Sequence, residues 1–189
     1  NLHPEIEKNN QNSVAWTISE VIHYLEKSHQ IDKVIVTGCS RWGKVTAAAG
    51  VLNERIDLTV PVVTGGIGVQ TYANPDSFGS AHNVYVKSAG KYNRLPIDSH
   101  FIHAAIAPRA VLSIMGDEGD VKAQTLVEAY DAARIVYRWL GVEKRVGLYD
   151  HSPRGHELKQ DDYDAIMDFA DMVLHDKQPN SGREFYNNT

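Results

Sequence analysis

Val34-Ile35-Val36-Thr37-Gly38-Cys39-Ser40-Arg41-Trp42-Gly43-Lys44 is followed by Val45-Thr46-Ala47-Ala48-Ala49-Gly50. The β-branched run from Val34 to Thr37 suits a buried strand, and it stops at Gly38. The small residues from Val45 to Gly50 suit a helix lying close against a sheet. The stretch therefore reads as strand, tight turn, helix. The same alternation continues on both sides of it. Val14, Ile18, Val21, Ile22 and Leu25 recur at spacings of three and four, predicting a helix with one buried face over Ser13 to Ser28. Further strands are predicted at Leu58 to Val63, Ala110 to Met115 and Val146 to Tyr149, and helices at Val121 to Leu140 and Asp161 to Leu174. Strands alternating with helices predict an α/β fold with a mostly parallel sheet and helices on both faces. Gln70 to Leu95, rich in Asn, Gly, Ser and Tyr and without a period, reads as an excursion near the mouth of a site.

In the α/β-hydrolase fold a nucleophile sits on a sharp strand-to-helix turn, where small neighbours let the backbone fold tightly and present a hydroxyl. Ser40 has that context, between Gly38 and Gly43, although the second glycine stands one residue later than in the ordinary G-x-S-x-G pattern. The helix N-terminus after Ser40 would aim N–H groups and a positive dipole end at an oxyanion formed there, and Arg41 would add a full charge. A serine hydroxyl needs a base, and in these folds the histidine follows the last strand. His156, in Asp150-His151-Ser152-Pro153-Arg154-Gly155-His156, does so; His151 is the rival, and Gly155 is expected to give His156 the freer backbone. A carboxylate to orient the imidazole is expected after an earlier strand, where Met115-Gly116-Asp117-Glu118-Gly119-Asp120 offers three.

Each residue also has a plainer reading. A serine between glycines is an ordinary turn, a lone His156 is a surface histidine, and Asp117 or Asp120 is a helix cap or a solvated loop residue. The order strand, serine, helix, later histidine favours the catalytic reading. His100 and His103 read as structural, and Trp16, Trp42 and Trp139 as core or rim aromatics, with Trp42 placed to touch a ligand. Gly38 to Lys44 also fits G-x-x-x-x-G-K, the phosphate-cradling loop, but the Ser or Thr required after the lysine is Val45, with Thr46 one place late.

Composition sets outer bounds. The 189 residues suit one domain over residues 1–177, followed by a polar tail at 178–189. A net charge of -5 with no Lys/Arg cluster speaks against nucleic acid or anionic lipid as partner. No apolar run approaches the roughly 18 residues of a membrane span, and no signal-peptide pattern opens the chain. Cys39 is the single cysteine, so no internal disulfide reports the redox compartment. Asn187-Asn188-Thr189 fits an N-glycosylation pattern at the end of the chain.

Gly38-Cys39-Ser40-Arg41-Trp42-Gly43-Lys44 resembles the nucleophile motif Gly-Cys-Ser-Arg-x-Gly-Lys of the glucuronoyl esterases, carbohydrate esterase family fifteen, at every fixed position. The likeness extends through Ala15-Trp16, Asn53-Glu54-Arg55-Ile56, Pro96-Ile97-Asp98-Ser99-His100, Ile106-Ala107-Pro108-Arg109 and Gly155-His156. The resemblance implies cleavage of the ester between glucuronic or 4-O-methylglucuronic acid on xylan and a lignin alcohol. It implies Ser40 as nucleophile, Arg41 at the oxyanion, Lys44 on sugar hydroxyls and His156 as proton shuttle. It implies neither metal nor organic cofactor, and a secreted or periplasmic protein.

This sequence departs from the family pattern twice. Where many members carry Pro-Gln-Glu-Ser-Gly with the catalytic glutamate, this chain has Pro61-Val62-Val63-Thr64-Gly65, so the acid role passes to Asp120, with Asp117 the alternative. Members are also roughly twice as long, with several strands before the helix at Ser13 to Ser28. The chain is expected to be the C-terminal half of the fold, completed by a separate N-terminal chain or fragment. Two other functions fit the residues: an acetyl xylan esterase or other carbohydrate esterase, and a non-catalytic carbohydrate-binding relative.

Overall fold

A computed structural model describes residues 11–64, 69, 98–116, 123–178 and 182–185, with the side chains of 11–13 excepted. Helix α1 (Gln11–Ser28) precedes strand β1 (Ile35–Cys39), helix α2 (Arg41–Leu52) and strand β2 (Leu58–Val62). A short helix α3 (His100–Ile106) leads into β3 (Ala110–Met115), followed by α4 (Gln124–Trp139), a 3-10 turn (Glu143–Arg145), β4 (Val146–Asp150) and α5 (Gln160–His175). The predicted strand–helix alternation is therefore observed. The Gln70 to Leu95 excursion lies outside the described residues.

The four strands form one sheet in the order β1-β2-β3-β4, each pair parallel. Parallel strands need a crossover covering the sheet, and the two central strands show the result: every residue of β2 and β3 is buried. Successive strand residues face opposite sides. Ser113 meets His103 of α3 at 2.8 Å, while the next layer is reached through Gly147, where an added Cβ would lie 2.5 Å from Phe169 of α5 and 3.1 Å from Leu112. Helices α3 and α5 thus cover opposite faces. Helices α1 and α2 pack through Ala15, Ile22, Val45, Ala49 and Ile56, and the larger core is centred on Leu58, Leu112, Ile114, Tyr130 and Phe169.

The structure revises three expectations. Helix α2 begins at Arg41, four residues earlier than the small-residue run suggested, so Ser40 itself is its N-cap. Helix α3 had no periodic signal in its 7 residues, yet it buries His103 and Ile106. Finally, residues 182–185 of the polar tail dock on the domain. Phe185 is 1% exposed, its ring meets Phe169 edge-on at 5.2 Å, and its carbonyl accepts the Leu148 amide of β4 at 2.6 Å. Arg183 adds ion pairs to Asp161 and Asp168. A buried ring, one main-chain bond and an arginine's ion pairs together anchor a segment of polar composition.

Candidate active site

Parallel strands bring all their C-terminal ends to one edge of the sheet, where Ser40 follows β1 and the loop with His151 and His156 follows β4. Ser40 follows β1 with φ 60° and ψ -122°, a backbone that a non-glycine residue adopts only where its surroundings enforce it. Its amide donates to the Val62 carbonyl at 2.9 Å, and its own carbonyl accepts the Lys44 amide at 3.2 Å. The Ser40 side chain makes no capping bond to α2. The hydroxyl is thus not spent on capping the positive end of that helix.

Both glycines of the turn are required by close approach. A Cβ on Gly38 would lie 2.8 Å from the Trp42 carbonyl carbon and oxygen. A Cβ on Gly43 would lie 2.9 Å from the carbonyl oxygens of Gly38 and Val62 and 2.7 Å from Thr64 Cγ2. This explains the late second glycine: the residue facing β2 in the first turn of α2 is the third one, Gly43. Trp42 can carry a large side chain because it points outward, 63% exposed. Arg41 is exposed beside it, and Lys44 is half-buried, its ammonium held below the ordinary lysine range by desolvation.

At the end of β2, Val63 also has a left-handed backbone, φ 47°, which is strained for a β-branched residue. Its amide donates to Ile114 at 3.0 Å and its side chain is 3% exposed. Val62 is fully buried. Neither valine side chain opens to solvent. Asp117 and Asp120, the expected acids after β3, lie outside the described residues; Gly116, just before them, sits against the loop after β4.

That loop carries both histidines. His156 is exposed, and His151 is half-buried with Nδ1 3.1 Å from the Asp162 carboxylate. Gly155, expected to free the backbone of His156, is not among the positive-φ glycines, and an added Cβ would meet only Glu157 Oε1 at 3.7 Å. What organises the loop is Arg154, whose guanidinium makes a two-pronged ion pair with Asp162 at 3.1 and 2.8 Å. Burial pushes the Asp162 carboxyl up, but Arg154, the Lys159 amide and His151 outweigh it and hold it below its ordinary value. Sequence reading passed over both residues, since a loop arginine and a first-turn aspartate look like surface charges.

Strands β1 and β4 are the outermost of the four, so their ends stand about 14 Å apart at 4.7–4.9 Å per pairing. A histidine after β4 can meet a serine after β1 only by leaning over β3 and β2. The loop starts that way: the His151 amide donates to Met115 at 2.7 Å, and a Cβ on Gly116 would lie 2.6 Å from the His151 carbonyl oxygen. Among the described residues no cluster of His, Cys, Asp and Glu could hold a metal ion, and no helix is long and apolar enough to cross a membrane.

Comparison with known proteins agrees with this architecture. A sequence profile of fungal glucuronyl esterases matches residues 5–141. The chain is 33% identical over 167 residues to 4-O-methyl-glucuronoyl methylesterase 1 of Phanerochaete chrysosporium, covering 75% of this chain and 35% of that protein. It is 30% identical over 190 residues to carbohydrate esterase MZ0003 of an unknown prokaryote, covering 83% of this chain and 43% of the relative. Among solved structures, a carbohydrate esterase family 15 glucuronoyl esterase from Caldicellulosiruptor kristjansonii superposes with a TM-score of 0.79 at 28% identity, over 93% of this chain and 52% of that one. The catalytic domain of the Hypocrea jecorina glucuronoyl esterase gives 0.71 at 27% identity, over 92% of this chain and 54% of that one. The chain thus spans about half the length of the solved structures and less of the curated relatives. With the profile matching well over half of the chain, and with the sheet and nucleophile-type turn in place, this chain belongs to the glucuronoyl esterases, carbohydrate esterase family fifteen.

Proposed function

We propose that the protein is a serine carboxylesterase that cleaves 4-O-methyl-glucuronoyl esters of plant cell-wall polysaccharide. The observation that carries the reading is the backbone of Ser40. A non-glycine residue at φ 60°, between a strand end and a helix N-terminus, with two glycines whose Cβ atoms would collide, is the strained turn that presents a nucleophile.

In this reading His156 takes the Ser40 proton as Oγ attacks the ester carbonyl. The N-terminus of α2 and Arg41 stabilise the resulting oxyanion, and the alcohol leaves with the proton from His156. Water, deprotonated by His156, then attacks the acyl-enzyme; the uronic acid leaves and Ser40 recovers its proton. Asp120, or Asp117 in its place, orients His156. Lys44 and Trp42, which flank the turn on its half-buried and exposed sides, contact the sugar.

A fluorophosphonate that modifies Ser40 in wild-type protein and not in His156→Ala supports this assignment, as does loss of benzyl glucuronate hydrolysis in Ser40→Ala. Hydrolysis persisting in a folded Ser40→Ala protein overturns it.

A second reading keeps the turn and changes the ester to acetylated xylan. It rests on Val62 and Val63, two buried apolar residues at the strand end that accepts the Ser40 amide. The ratio of rates on uronate esters and acetylated xylan separates the two. Sugar binding without any turnover would instead favour a carbohydrate-binding relative.

Family likeness supports an exported, extracytoplasmic protein, testable by cell fractionation of the producing organism. β1 pairs with β2 alone among the described strands, and exposed strand edges invite pairing. We infer that an N-terminal segment or chain covers it. A stable monodisperse monomer of 21.0 kDa from the native source would contradict that.

A further inference from the structure

We propose that the buried Arg154–Asp162 ion pair is the device that positions His156, a role that rests on His156 being the general base. Arg154 directs its guanidinium at more than its partner carboxylate. Its Nε donates to the Gly155 carbonyl at 3.3 Å and its Nη2 donates to the Glu157 carbonyl. The first belongs to the peptide that enters His156 and the second to the residue that follows it, so the two bonds bracket His156. Whatever orients the His156 ring itself, the backbone on either side fixes the point from which the ring projects. Arg154 holds that backbone from both sides.

The clamp is itself anchored at three points. Asp162 accepts both prongs of Arg154, and both side chains are 0% exposed. The same carboxylate accepts the Lys159 amide at 2.8 Å, fixing the loop to the first turn of α5. It also meets His151 Nδ1 at 3.1 Å, and the His151 main chain is tied to the end of β3 by its bond to Met115. Gly116 leaves room for the Arg154 stem, since an added Cβ would lie 3.0 Å from Arg154 Cδ. The loop is therefore braced between β3 and α5 with one guanidinium at its centre.

Stability alone does not account for a charged pair here. Desolvating two charges is costly, and an apolar pair of similar volume commonly serves the fold as well. An apolar pair cannot bond two carbonyls. A lysine would keep the charge but lacks the planar fork that reaches a carboxylate and two peptide oxygens together. The choice of Arg154 fits a requirement for position, and position is what general-base catalysis demands of His156.

The test uses the full-length protein and two variants. Arg154→Met combined with Asp162→Asn leaves no buried charge, and the Asn side chain retains an acceptor for Lys159. Arg154→Lys keeps the charge and loses the fork. Both variants are expected to keep a native circular-dichroism spectrum. Both are expected to lose about 100-fold in kcat and in the rate of Ser40 phosphonylation, the scale of a catalytic group misplaced by about an ångström, with KM changed by no more than about twofold. A wild-type kcat and phosphonylation rate in either folded variant overturns the proposal. His156→Ala in the same assays separates the two layers: inactive His156→Ala beside a fully active clamp variant defeats the clamp alone, while active His156→Ala defeats the assignment of the base and the clamp with it.

Discussion

The Ser40 amide donates to the carbonyl of Val62 at 2.9 Å, one step beyond the Cys39–Val62 rung of the β1–β2 ladder. The candidate nucleophile is therefore held by the end of the neighbouring strand as well as by its own turn. Anything that pushes α2 away from β2 should act on Ser40 directly.

Gly43→Ala provides that push. Its Cβ would meet two backbone oxygens at 2.9 Å, and Thr64 cannot simply rotate away because its hydroxyl accepts the Val69 amide at 3.0 Å. We expect a loss of about 1–3 kcal/mol in urea denaturation, as for other overpacked sites, together with slower phosphonylation of Ser40. Gly155→Ala is the control: its Cβ meets only Glu157 Oε1 at 3.7 Å, and its stability should match wild type. Equal effects at the two positions would contradict the packing argument.

Val63 tests stored strain. A buried valine changed to glycine loses its burial wherever it sits, but at φ 47° the change also removes a steric conflict. Val63→Gly should therefore be less destabilising than Val60→Gly, a fully buried position in the middle of the same strand, by roughly 1–3 kcal/mol. Equal losses would mean that Val63 is not strained.

These two positions also mark where sequence reading stops. The β-branched run at Val34 and the small residues after Val45 placed the sheet and the turn, because strand and helix periods are local properties of the chain. Helix α3 escaped notice because 7 residues are too short to show a period, and Arg154 and Asp162 because a buried ion pair is made by tertiary contact between residues that look like surface charges. Val63 reads as an ordinary strand end; only in the folded chain is it clear that the backbone turns there against its side chain's preference. Ser40 was legible for the opposite reason, since its two glycines write the close approach into the sequence.

His103 makes the fold sensitive to acid. Burial lowers its imidazole to about 4; the Ser99 carbonyl opposes this and His100 adds to it. In the unfolded chain the same ring titrates near 6.5, so between the two values the unfolded state binds the extra proton. Stability is then full above pH 6.5 and falls as pH drops toward 4, by roughly 3 kcal/mol from this group. Urea denaturation of His103→Gln at pH 7 and pH 4 should show a smaller loss than wild type by about that amount. Parallel losses in the two proteins would place the acid sensitivity elsewhere.

Phe185 should matter more than its place among the last residues suggests. Its ring is 1% exposed against Phe169, and its carbonyl receives the Leu148 amide at 2.6 Å. The segment thus covers the free edge of β4, the strand whose C-terminal end launches the loop with His151 and His156. Phe185→Ala removes the anchor, and with it the restraint that keeps the carbonyl on Leu148. The cost expected for an excised core phenylalanine is about 3–5 kcal/mol. Faster hydrogen exchange at the Leu148 amide should accompany it, because that donor would then face water. A change below about 0.5 kcal/mol, the range of ordinary surface substitutions, would mean that the segment only rests on the sheet and that β4 holds its edge without it.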